Sequence, residues 1–230
     1  MLRPYMTRHM WLLDMTRIKV CGITNMEDAL AAVELGAHAL GFVFASSPRR
    51  VEPEAAREIV GALPPFVAAV AVVMDEPIED LRKKLRISGC HNVQLHGSES
   101  PGYLGALSAW GIIKAFRVAR EGDLEQLADY DRADAFLLDS RVRGKAGGTG
   151  VCFDWRLARL AADRGSENVA GKPIILAGGL HPGNVRAALE TARPYAVDVS
   201  SGVEAAPGKK DYGLMRDFIR AVRDYDASQA

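Results

Sequence analysis

Several protein classes are excluded by what this sequence lacks. It has three cysteines in 230 residues, an odd number spread along the chain. That makes no disulfide framework and points to a reducing, cytoplasmic setting. The longest uninterrupted apolar run, Phe66 to Met74, is nine residues, against the ~18 or more that span a bilayer. Charge of neither sign is in excess: 29 Lys+Arg face 29 Asp+Glu. The basic surplus expected of a nucleic-acid or anionic-membrane partner is missing, and neither partner is expected. Metal-ligand spacings such as C-x-x-C or H-x-x-x-H are also absent, so no metal site is expected from the cysteines and histidines. The opening MLRPYMTRHMWLLDM has no signal-peptide core or cleavage site. Residues 1–16 are expected to form a poorly ordered extension, with residues 227–230 as a C-terminal tail.

What remains is a chain long enough to bury a core without staples, carrying one repeating pattern. Apolar, mostly β-branched runs fall at Ile18–Cys21, Ala39–Phe44, Val67–Met74, Asn92–Leu95, Ile112–Phe116, Ala135–Leu138, Pro173–Leu176 and Ala196–Val199. Between them lie stretches with helical spacing, introduced by Asn25, Pro53, Pro77 and Ser98 or Ser100. Later ones cover Asp123–Tyr130, Asp154–Asp163, Pro182–Thr191 and Asp211–Tyr225. Polar caps or a first-turn Pro in front and Gly behind are helix start and stop chemistry. Strands alternating with helices predict right-handed βαβ units and parallel strands. The unalternating VAAVAVVM run suits a strand covered on both faces. Eight units with no linker, roughly 26 residues apart, predict an α/β fold, a single-domain (β/α)8 TIM barrel over residues 17–226. A doubly wound open sheet is the alternative.

Barrel enzymes place their chemistry where strands end. Here the strand ends carry Cys21, Gln94 with His96, Arg117, Asp139 and Asp198. Glycine-bearing loops, AGGLHPGNV after the seventh strand and SSGVE after the eighth, stand where barrels commonly bind phosphate. They predict a phosphorylated substrate. Cys21 is expected to face the barrel mouth as a proton acceptor, with Lys19 lowering its pKa. A small buried hydrophobe is its alternative, and Cys90 and Cys152 read as structural. The segment GKAGGTG (Gly144–Gly150) fits neither a P-loop nor a dinucleotide fingerprint. It is expected to be a lid beside the sixth strand, or simply a solvated loop.

KVCGITN (Lys19–Asn25), GFVFASSPRRV (Gly41–Val51), VQLHG (Val93–Gly97), the Asp139 loop with GGTG and FDW, LAGGLHPGNV and VDVSSGVEAAPGKKD (Val197–Asp211) come in one order along the chain. Together they resemble phosphoribosylanthranilate isomerases of tryptophan biosynthesis, from Arg17 to the last helix. The resemblance implies a cofactor-free Amadori rearrangement of N-(5-phosphoribosyl)anthranilate to 1-(2-carboxyphenylamino)-1-deoxyribulose 5-phosphate. It implies Cys21 as general base and Asp139 as general acid. Arg50 would face the anthranilate carboxylate, with Arg49 the adjacent alternative, and Asp198 a sugar hydroxyl. Gly178, Gly179, Ser200, Ser201 and Gly202 would hold the phosphate, and Lys19, Gln94 and His96 would line the mouth in support. The partner implied is this small phosphoribosyl substrate, and the chain would act as a monomer or homodimer. The alternatives are a neighbouring phosphosugar barrel, of the histidine-pathway isomerase or indole-glycerol-phosphate synthase type, or a non-catalytic phosphoribosyl-binding protein. The former would be expected to carry two aspartates, or a lysine and glutamates, in place of the Cys/Asp pair.

Overall fold

The computed structural model describes residues 15–139, 154–164 and 171–229. Eight parallel strands close into a barrel in chain order: β1 (Arg17–Cys21), β2 (Ala39–Val43), β3 (Ala68–Val73), β4 (Asn92–Leu95), β5 (Gly111–Arg117), β6 (Ala135–Asp139), β7 (Ile174–Ala177) and β8 (Ala196–Val199). The last strand pairs with the first, Lys19 opposite Asp198. Outside run α1 (Met26–Glu34), α2 (Pro53–Gly61), α3 (Ile78–Ser88), a single turn α4 (Pro101–Leu104), α5 (Arg156–Arg164), α6 (Val185–Ala192) and α7 (Tyr212–Ala227). A two-stranded ribbon, β9 (Glu204–Ala206) and β10 (Lys209–Lys210), precedes α7.

Local chemistry accounts for the helix ends. Asn25 caps α1 by accepting from the Asp28 amide, Pro53 opens α2, and Gly89 closes α3 in the left-handed conformation that an L side chain resists. The stretch expected to be helical at Asp123–Tyr130 is a 3-10 helix over Glu121–Asp129. Its first turn is held by Asp123, which accepts from the amides of Ala119 and Arg120. Pro182 and Gly183 lie in the turn before α6, which starts later than expected, at Val185.

Two apolar layers hold the barrel. The larger lies between strands and helices. The smaller fills the barrel's inside along β5 to β8, with Ala115, Ala135, Leu137, Ile175, Ala177 and Ala196. Strand side chains alternate in direction and register partners share a face. Asp139 pairs with Ala177, Gln94 with Ile113, and Asp198 follows Ala196 by two. All three therefore point inward, as do Lys19, opposite Asp198, and Cys21 two residues on.

The expected domain start shifts by one residue. Thr16 is buried, and its amide and hydroxyl both donate to the Asp226 carboxylate on α7, at 2.9 and 2.7 Å. Thr16 thus belongs to the barrel. At the other end Ala227 is still helical and the Ser228 amide closes the last turn on Asp224 and Tyr225. Residues 1–14, the Gly144–Gly150 segment read as a lid, and Cys152 lie outside the described residues.

Candidate active site

The C-terminal mouth of the barrel is built from β1 outward. Lys19 and Cys21, two apart on β1, both face the axis. Lys19 Nζ donates to Asp198 Oδ1 at 2.8 Å. Gly41, opposite Cys21 on β2, makes room for this pair, since a Cβ there would come 2.8 Å from Cys21 Sγ and 3.1 Å from Lys19 Nζ. Burial pulls the Lys19 ammonium down, but Asp198 and Cys21 outweigh it and hold it above its ordinary range.

Cys21 departs from expectation. It is 8% exposed, lying below the rim rather than open at the mouth. Burial pushes its thiol up, the Lys19 charge opposes that, and the Asp198 carboxylate adds to it. The balance is upward, opposite to the lowered pKa expected from the sequence. Proximity to Lys19 was legible at i, i+2. The desolvation that defeats it comes from packing between strands.

Across the barrel, Asp139 ends β6 after Phe136, Leu137 and Leu138, all fully buried. His96 Nε2 is 3.2 Å from Asp139 Oδ2, and Gln94 Nε2 is 2.9 Å from His96 Nδ1. Three residues that the sequence placed at strand ends thus form one connected row. Arg117 lies beside Asp139 in the β5–β6 register and is exposed.

The two adjacent arginines divide. Arg49 makes a bidentate pair with Glu204, Nε to Oε1 at 2.8 Å and Nη2 to Oε2 at 2.6 Å. Arg50 is half-exposed and meets only the exposed Glu52, at 3.0 Å, among the described residues. Such a surface pair is worth about 0–1 kcal/mol and gives way easily.

Glu204 also accepts from Lys210, a buried lysine that the sequence reading passed over. Lys210 Nζ donates to Glu204 Oε1 (2.9 Å), to the Cys21 carbonyl (2.6 Å) and to the Ser200 carbonyl (3.3 Å). Burial lowers the Lys210 ammonium despite Glu204. Burial also raises the Glu204 carboxyl, but Arg49 and Lys210 together bring it below its usual range. The network fastens the end of β1, the Arg49 loop and the loop after β8 together. The lysine pair ahead of the Asp211 helix cap was its one sequence trace.

The loops after β7 and β8 pack against each other. Gly178 and Gly179 take φ of +88° and +67°. A Cβ on Gly202 would collide with the Leu180 carbonyl oxygen, so the two loops come this close only through glycine. Asn184 fixes the first of them, accepting from the His181 amide and donating to the Gly179 carbonyl. Gly179 and Ser201 are exposed beside these contacts. No group of three His, Cys, Asp or Glu side chains suited to a metal ion occurs among the described residues.

This arrangement has relatives. The family model for N-(5'phosphoribosyl)anthranilate (PRA) isomerase matches residues 18–221. The chain belongs to this family. It is 48% identical to the N-(5'-phosphoribosyl)anthranilate isomerase of Moorella thermoacetica over 209 residues, 91% of this chain and 90% of that one. The relative from Geobacter metallireducens is 47% identical over 91% of this chain and all of its own. Among solved structures, phosphoribosyl anthranilate isomerase from Thermotoga maritima superposes with a TM-score of 0.83 at 43% identity. It covers 91% of this chain and 100% of its own. Another PRA isomerase, solved in complex with reduced 1-(o-carboxyphenylamino)-1-deoxyribulose 5-phosphate, superposes at 0.80 with 42% identity, covering 91% and 100%. The chain is therefore a (β/α)8 barrel of an isomerase family. Among the described residues, no helix is long and apolar enough to cross a membrane.

Proposed function

We propose that this chain converts N-(5'-phosphoribosyl)anthranilate into 1-(2-carboxyphenylamino)-1-deoxyribulose 5-phosphate, a step of tryptophan biosynthesis, with Asp139 as general acid and Cys21 as general base. The observation that carries the reading is the pairing of two unlike titratable groups inside one barrel mouth: a thiol beside a lysine on β1, and a carboxylate on β6 beside the histidine that follows β4. A reaction that needs one proton given and another taken requires two such groups.

Asp139 protonates the ribose ring oxygen, the C1–O bond breaks, and a protonated Schiff base forms between C1 and the anthranilate nitrogen. That cation acidifies the C2 hydrogen and, as a nearby positive charge, lowers the cost of ionising Cys21. Burial holds this thiol high, so the reacting form is the thiolate left once its proton has passed to solvent, a form that the cation and Lys19 both stabilise. Cys21 takes the C2 proton, the electrons form a C1=C2 enolamine, and the ketone results as C1 gains a proton and the C2 hydroxyl loses one. Atoms and electrons balance with no cofactor.

Binding follows from the same geometry. Arg49 is committed to Glu204, so the half-exposed Arg50 is the guanidinium available for a bidentate grip on the substrate carboxylate. Asp198 gives one oxygen to Lys19 and offers the carboxylate's other side to a sugar hydroxyl. Amides and hydroxyls of Gly178, Gly179, Ser200, Ser201 and Gly202 cradle the phosphate in the joined loops.

The test is turnover of freshly generated phosphoribosylanthranilate, followed by loss of anthranilate fluorescence. Cys21→Ala and Asp139→Asn are each expected to lose about 10²–10⁴-fold in kcat. Absence of turnover in the intact chain would remove the activity, and full turnover in either variant would remove that residue's role.

A further inference from the structure

We infer that Gln94 is a positioning residue that fixes the tautomer of His96, so that His96 presents an N–H to the Asp139 carboxylate. The inference rests on the reading of Asp139 as the acid. Gln94 is 1% exposed and faces the inside of the barrel beside Ile113. Its amide nitrogen, a donor only, stands 2.9 Å from His96 Nδ1. A nitrogen that accepts from an amide N–H carries no proton of its own, so a neutral His96 holds its proton on Nε2. Nε2 is 3.2 Å from Asp139 Oδ2, in place to donate to the carboxylate that proton transfer leaves behind.

The amide orientation that does this has a cost. It leaves Gln94 Oε1 as the buried side-chain oxygen or nitrogen without a hydrogen-bond partner among the described residues. An orphaned buried acceptor costs about 1–3 kcal/mol. Turned the other way, the amide would put its carbonyl on Nδ1, force the proton there, and leave Nε2 bare against Asp139. Tolerating the orphan therefore keeps a donor on the acid. When Asp139 has delivered its proton to the ring oxygen, the anion left behind already has its hydrogen bond, with no reorganisation during the step.

The direct readout is 15N NMR of labelled histidine in the free protein. It is expected to show His96 protonated at Nε2 and bare at Nδ1. In Gln94→Glu the new carboxylate demands a proton on Nδ1, so the His96 signals should change to a protonated Nδ1. The kcat should fall by about 10- to 100-fold with KM held within about twofold, as for an interaction made in the transition state. His96→Gln supplies an amide N–H toward Asp139 that needs no tautomer. In that background Gln94→Glu should cost under about threefold. A proton on Nδ1 in the wild-type chain, an unchanged kcat in Gln94→Glu, or an equal loss in both backgrounds would each overturn the inference. Full activity in Asp139→Asn would instead overturn the acid assignment, while the histidine spectrum reports on the Gln94 contact independently of that assignment.

Discussion

Two buried lysines each meet a carboxylate at 2.8 Å, on opposite sides of the strand wall. Lys19 meets Asp198 inside the barrel, and Lys114 meets Glu99 between barrel and outer layer. Distance and burial barely separate them, but saturation does. Lys114 Nζ also donates to the Gly97 carbonyl at 2.8 Å, and the rings of Phe116 and Tyr130 stand 5.8 Å away. Glu99 accepts in addition from the amides of Asp75 and Gly97. That pair fastens the loop after β4 and has little capacity left over. Lys19 instead shares its charge between a carboxylate and a thiol, and the thiol's protonation is the sum of opposed influences. A buried ion pair is by itself weak evidence for either stability or chemistry. What sets the inner pair apart is the titratable thiol that shares its lysine, the group proposed above as the base.

The comparison breaks most visibly in activity. Lys19→Met should lower kcat/KM by roughly 10²–10³-fold, the loss typical of removing one preorganised charge from a transition state. The double variant with Asp198→Leu removes the stranded carboxylate, so it should regain stability without regaining activity. Recovery of turnover in the double variant would make Lys19 a structural residue like Lys114.

Lys114→Met should lower stability to denaturant by about 3 kcal/mol, because Glu99 is left buried and unpaired. Adding Glu99→Leu should return most of that loss, and the folded fraction should keep its KM. A KM change in the folded double variant would tie the outer pair to the site and erase the distinction.

The pH profile sharpens the inner pair. Burial holds the Cys21 thiol above its ordinary range, so kcat/KM should rise with pH as the thiolate forms. Lys19 lowers that thiol, so Lys19→Met should move the rise to higher pH. A rise that stays in place would uncouple the two side chains.

The barrel was legible in the sequence because parallel strands are buried on both faces, which writes them as continuous β-branched runs. β4 and β8 coincide with their runs, and the other six differ by no more than a residue at either end. Thr16 was misplaced because its anchor, Asp226, is 210 residues away and leaves no local mark. The family motifs singled out Cys21, Asp139, His96 and Gln94, and the structure gathers the last three into one row. Invisible in the sequence was the burial of Cys21. So was the Arg49–Glu204–Lys210 knot, where the arginine and its glutamate are 155 residues apart. Contacts of that kind exist only once the barrel has closed.

The smallest effect belongs to the opposite end of the barrel. His38, just ahead of β2, accepts from the Ile18 amide through Nδ1 at 3.0 Å, and Arg223 stands 3.2 Å from its Nε2. Burial and the charges of Arg223 and Arg17 lower its pKa from 6.5 to about 4, with Asp226 opposing. An unfolded chain takes up this proton near 6.5 while the folded one resists it until about 4. The unfolded state binds more protons in that window, so stability falls as pH drops through it. Denaturation series across the window should show a slope that His38→Gln flattens, with turnover at neutral pH unchanged. An equal slope in both proteins would assign the acid sensitivity to other groups, and lost turnover would place His38 in communication with the mouth.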